Sequence, residues 1–141
     1  MPLVDKATRF VDATDPDLRA YESQGGKLLL YAGWGDTGIT PKNTVYYFES
    51  VLEEMGAEQD DWMKLYMVPG MGHCRGGDGP HSFDLLTELE QWREQGKAPA
   101  AIPAVNPDSG LSRPLCAYPQ TAKYDGTGEL SAAANWSCQA L

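Results

Sequence analysis

The stretch WMKLYMVPGMGHC, Trp62 to Cys74, decides how the chain is read. Trp62 to Val68 is an apolar run of strand length. Pro69-Gly70 ends it, because proline fixes φ and lacks the N–H that a ladder needs, and glycine weakens a strand. His73 then stands on a glycine-bounded turn just past the carboxyl end of the predicted strand, where open α/β sheets collect ligands and chemistry. A plain surface-loop histidine is the competing reading, and the flanking sequence has to separate the two.

Working outward, Lys27 to Ala32 contains the unbroken apolar run LLLYA. A strand without polar alternation suits a position covered on both faces, as in a parallel sheet. The loop Gly33-Trp34-Gly35-Asp36-Thr37-Gly38 follows. Thr40-Pro41 is a start signal for a helix with Val45, Phe48, Leu52 and Met55 along one face, and Gly56 stops it. Before the first strand, Asp15-Pro16 predicts a short helix from Asp17 to Gln24, closed by Gly25-Gly26. After the second, Ser82 is read as the N-cap of a helix running to Gln95, with Phe83, Leu86, Leu89 and either Trp92 or Arg93 inward and Gly96 as its stop. The order helix, strand, helix, strand, helix predicts two parallel neighbouring strands joined by a right-handed crossover.

This order brings two loops together at the carboxyl ends of adjacent strands, one carrying Asp36 and the other His73. An aspartate that accepts from one imidazole nitrogen fixes the tautomer and stabilises the imidazolium formed when the other nitrogen takes a proton. Such a pair is the base half of a nucleophilic catalytic unit. In α/β hydrolases the chain order is nucleophile, acid, histidine, and Asp36 precedes His73. Asp36 equally suits the ordinary work of loop aspartates, accepting from nearby backbone amides.

Composition sets outer limits. The chain has 141 residues, 42% of them hydrophobic, which is enough for one folded unit. A formal charge of −9 repels phosphate backbones and anionic lipid, so neither nucleic acid nor a membrane surface is expected as a partner. No apolar run approaches the roughly 20 residues that span a bilayer, and the first residues lack a signal peptide's apolar core. Of the three cysteines, Cys116 and Cys138 flank a tail rich in Pro, Gly and Ser. A bridge between them would close a loop worth about 3 kcal/mol in the chain-entropy model. Oxidised cysteines imply a secreted or periplasmic protein, with any signal peptide upstream. Cys74 is left over, either a buried inert thiol or half of a bridge.

Three runs, GGKLLLYAGWGD, LYMVPGMGHC and RPLCAYPQTAKY, resemble the carboxyl-terminal part of the tannase and feruloyl esterase family, from about Leu18 to Cys138. The resemblance implies the carboxyl-terminal part of an α/β-hydrolase fold, parallel strands with crossover helices, plus a disulfide-stapled tail. Residues 1–110 would form the sheet-and-helix unit, and residues 111–141 an irregular tail stapled by Cys116 and Cys138. It further implies Asp36 as triad acid, His73 as general base, and a serine esterase acting on a small-molecule phenolic or aromatic ester. In the family the nucleophile sits in a Gly-Cys-Ser-x-Gly elbow, and the cysteine beside it is bridged to the cysteine following the histidine, here Cys74. No Gly-x-Ser-x-Gly occurs in this sequence.

The expectation is therefore the acid-and-base portion of a larger enzyme, inactive alone, whose missing amino-terminal portion supplies the serine. The alternative is a folded remnant or assembly module without a nucleophile. A partial parallel sheet exposes an apolar edge, so homo-oligomerisation is a further expectation. No cofactor is expected in this region, and the resemblance puts calcium in a lid domain outside it. His73, Cys74, Asp78 and His81 suggest a metal site only weakly, because no second cysteine supplies zinc spacing. Trp34, beside Asp36, is a candidate wall for an aromatic acyl group. Trp62 and the tyrosines read as packing residues.

Overall fold

A computed structural model describes residues 11–140. A short helix α1, Arg19–Glu22, leads into strand β1, Leu28–Gly33, then helix α2, Lys42–Met55, and strand β2, Met63–Val68. Helix α3, Leu85–Gln95, follows, with strands β3, Ala101–Val105, β4, Ser112–Cys116, β5, Thr121–Tyr124, and β6, Trp136–Gln139. β1 and β2 are parallel, with Leu28 opposite Met63 and Gly33 opposite Val68. Both strands therefore end at one level, and their loops leave side by side.

The period of two along β2 sorts its side chains onto two cores. Met63, Leu65 and Met67 meet Val45, Phe48 and Val51 of α2. Tyr66 and Val68 meet Met71, Ile102, Ala104 and Leu115 on the other face. β2 is the buried centre, whereas β1 is half-exposed along most of its length, and among the described residues no strand pairs with its outer edge. The double cover expected for Lys27–Ala32 is thus incomplete.

Several local expectations shift. The helix predicted for Asp17–Gln24 is one turn, because Asp15 and Asp17 accept from the amides of Asp17 and Arg19 and hold the chain in turns instead. Pro41, with no side-chain cap, opens α2 where Thr40 was expected to cap, and the fully buried Val51 joins the inward face. α3 starts two residues late. Asp84 is its N-cap, accepting from the Thr87 amide at 3.0 Å, while the backbone of Ser82 is bonded to Val105. The delay rotates the inward stripe onto Leu85, Leu89 and Trp92, leaving Leu86 66% exposed and Arg93 in solvent.

The stretch read as an irregular tail carries three strands. β4 pairs antiparallel with β3 across the expected boundary at residue 110, and a bridge between Tyr66 and Ala117 ties it to β2. β5 and β6 form a hairpin, and Cys116 of β4 is bonded to Cys138 of β6. Proline-rich sequence hid β3 and β4, where Pro103 and Pro114 face each other in the ladder. Among the described residues no helix is long and apolar enough to cross a membrane.

Leu65→Ala should lower the unfolding free energy by about 2–5 kcal/mol, whereas Leu86→Ala should stay within about 0.5 kcal/mol. Urea unfolding midpoints check both, and equal losses would contradict the inward stripe described.

Candidate active site

The site is built from the two loops that leave β1 and β2. Trp34 donates its backbone N–H to Val68 at 2.9 Å, and Gly35 donates to the Met71 carbonyl at 2.9 Å, so one loop is laid along the other. A Cβ on Gly33 would be driven into the carbonyl oxygens of Met71 and Gly72. Only a residue without a side chain permits that approach. The Met71 side chain is fully buried, which anchors the histidine loop to the core two residues before His73.

Asp36 and His73 meet across this contact. His73 Nδ1 lies 2.6 Å from Asp36 Oδ2. The other carboxylate oxygen, Oδ1, accepts from the amides of Gly38 at 2.8 Å and Ile39 at 3.0 Å. Asp36 thus makes both contacts at once, since the amides fix the carboxylate that in turn holds the ring. The Asp36 side chain is 11% exposed and that of His73 is 58% exposed, so the ring is reachable while its partner is sheltered. The Ile39 amide, the hydrogen bond with His73 and the Gly38 amide hold the Asp36 carboxyl below its usual range, because each favours the charged form. An ionised aspartate at Nδ1 selects the tautomer with hydrogen on that nitrogen and leaves Nε2 as the basic atom. Among the described residues Nε2 makes no hydrogen bond.

Asp36 and His73 border a cleft of 270 Å³, with Tyr31, Thr40, Pro41 and Thr44 among its walls and Cys74 at its rim. Cys74 is a free, exposed thiol, not an inert buried one, and its φ of 61° puts a side-chain-bearing residue in the left-handed region. Trp34 is 44% exposed and lines a separate groove of 540 Å³ against Tyr118 and Trp136, a groove whose walls include neither Asp36 nor His73. Trp62 is buried and bonded to Gln59. Among the described residues no three His, Cys, Asp or Glu side chains gather as a metal site. Two supports escaped the sequence reading. One is Met71, which has the look of any loop methionine. The other is Asn106, whose Asn-Pro-Asp-Ser-Gly setting marks a turn without revealing that its side chain reaches the histidine loop.

A family model described as tannase and feruloyl esterase matches residues 3–139. Mono(2-hydroxyethyl) terephthalate hydrolase of Piscinibacter sakaiensis is 40% identical over 134 residues, covering 91% of this chain and 22% of that protein. A probable feruloyl esterase of Arthroderma benhamiae is 33% identical, covering 96% and 27%. The crystal structure of feruloyl esterase B from Aspergillus oryzae superposes with a TM-score of 0.81 at 27% identity, over 89% of this chain and 29% of that one. The chain thus spans about a quarter of the length of these relatives.

Gly33→Ala should cost about 1–3 kcal/mol, the usual range for a group forced into filled space, and should part the two loops. Thermal unfolding measures the first effect, and loss of the His73 ring's Nδ1–H signature in nuclear magnetic resonance the second. A pH dependence follows from Asp36. Because its folded pKa is depressed, its contribution is complete above the unfolded value of about 3.9 and is lost as pH falls through the folded value. The stability gap between the parent and Asp36→Asn should therefore shrink as pH drops below about 4. A gap that widens on acidification would contradict the assignment.

Proposed function

The chain belongs to the tannase and feruloyl esterase family, and on that premise we propose that it is the acid-and-base portion of a serine carboxylic-ester hydrolase. The carrying observation is the 2.6 Å bond from His73 Nδ1 to Asp36 Oδ2, made by two loops at adjacent parallel strand ends. His73 is the general base and Asp36 the residue that orients it. The nucleophilic serine comes from polypeptide beyond these 141 residues. As the serine oxygen attacks an ester carbonyl, Nε2 takes its proton and then passes it to the departing alcohol. The same nitrogen removes a proton from the water that releases the acid. Relatives named for feruloyl and terephthalate esters support an aromatic acyl group as the substrate class.

Cys74 fits a bridge to the segment carrying the serine, since its thiol is exposed at the rim of the cleft. Such a bridge would pin the nucleophile near Nε2. The Cys116–Cys138 bond favours an oxidising compartment, secreted or periplasmic. Trp34 is left out of the reacting set, since it lines a groove apart from the dyad. The competing reading, a folded remnant without catalysis, draws on the absence of a Gly-x-Ser-x-Gly elbow from this sequence.

Alone, the chain should neither hydrolyse aromatic esters nor be labelled by a serine-directed phosphonate, and serine-dependent labelling would reveal a nucleophile within it. The coding DNA before Met1 should carry an open frame with the elbow. In the longer polypeptide, Asp36→Asn should lower kcat by about 10⁴-fold. A promoter and ribosome site directly before Met1, or unchanged turnover in Asp36→Asn, would favour the remnant.

A further inference from the structure

We propose that Asn106 is a positioning residue for His73, holding the histidine loop from the far side through its side-chain amide. The inference rests on the Asp36–His73 reading above. His73 has no core packing around its ring: its side chain is 58% exposed, and Asp36 is its one side-chain partner among the described residues. The position of Nε2 is therefore set by Asp36 and by the backbone of the loop, and what holds that backbone helps decide where the basic nitrogen sits. A displacement of about 1 Å at a reacting group can cost on the order of a hundredfold in rate.

Met71 holds the outgoing limb of the loop. Asn106, just past β3 and only 3% exposed, holds the returning limb. Its Nδ2 donates to the carbonyls of Gly77 at 3.2 Å and Gly79 at 3.0 Å. Its Oδ1 accepts from the amides of Asp108 at 3.0 Å and Ser109 at 3.2 Å. Two donors and two acceptor positions are all that a carboxamide offers, and all are used. The returning limb is tied in turn to the limb bearing His73, since Gly72 donates to Gly76 at 2.9 Å and Gly79 to Gly70 at 3.1 Å. Close packing leaves no slack here: a Cβ on Gly79 would enter the Pro69 carbonyl, and one on Gly77 the Gly70 carbonyl. A shift of Gly77 or Gly79 is thus passed to the segment that carries the imidazole. The Asn106 side chain bonds only to backbone groups and to neither Asp36 nor His73, so it acts through the loop that carries His73.

The isosteric variant Asn106→Asp keeps Oδ1 for the turn at 106–109 and replaces the donor with an oxygen facing two carbonyls, a loss confined to the loop side. Long-range proton–nitrogen correlation of the 141-residue chain labelled with ¹⁵N-histidine reads the His73 tautomer from ring nitrogen shifts, with His81→Phe assigning the second histidine. Asn106→Asp should keep the parent's circular dichroism while His73 moves from the Nδ1–H tautomer toward the averaged shifts of a free ring, as Asp36→Asn should also do. In the longer polypeptide the same variant should lower kcat about 10- to 100-fold with KM little changed. A folded Asn106→Asp with parental His73 shifts overturns the inference. If Asp36→Asn leaves those shifts unmoved, the dyad reading itself fails and takes this one with it. Should Asn106→Asp not fold, hydrogen exchange of the parent decides: the Gly72 and Gly79 amides should open together with those of Asp108 and Ser109, and independent opening refutes the link.

Discussion

The contact on which the structure depends is the backbone of Gly33 and Gly35 lying directly on the backbone of Met71 and Gly72. Two parallel strands in level register bring their loops near each other, but nearness is not enough for a hydrogen bond of 2.6 Å. Ordinary side chains between the loops would hold them apart by the width of a methyl group or more. Glycine removes that spacer on one side, and the buried Met71 fixes the other side so that the gap cannot be taken up by drift. Asp36 and His73 meet because the main chains beneath them already touch.

Around that contact, rigidity is distributed unevenly. β2 is sealed on both faces, while β1 is half-open and has an unpaired outer edge among the described residues. The cleft holding Asp36, His73 and Cys74 is bordered by residues of β1, the less covered strand. On the proposed reading this is the side from which the serine arrives. Asp36 is sheltered and charged, and His73 is reachable, which is the division of exposure that the proposed proton transfer from an incoming hydroxyl requires.

The carboxyl-terminal third continues the fold. β4 is joined to β3 in one ladder and bridged to β2, and the Cys116–Cys138 bond fastens the outer hairpin to it. The Arg113 guanidinium stacked 3.8 Å over Trp136 and the Tyr118 ring set edge-on to Phe48 complete the attachment. In turn, β3 ends where Asn106 reaches back to the histidine loop, so a segment that resembles an appendage contributes a support for the site.

Much of the site was legible in sequence because its signals are local. The Trp62–Val68 run, its break at Pro69-Gly70, and the glycines around Asp36 and His73 mark strand ends and loops through backbone chemistry that needs no partner. The two strands and the placing of Asp36 and His73 on the loops that follow them come from such signals. What tertiary structure alone decided was long-range. Asp84 displaced Ser82 as the cap because Ser82's backbone is engaged by β3. Proline-bearing β3 and β4 became strands because each had the other to pair with. Trp34 turned to a groove away from the dyad, and Asn106 became a clamp through partners 27 and 29 positions away. The sequence by itself determined which side chains are able to carry chemistry and where the chain turns, since those depend on side-chain type and neighbouring φ and ψ. Only the folded chain decided which distant backbone each of them touches, because that is a property of close packing among segments that no stretch of sequence contains alone.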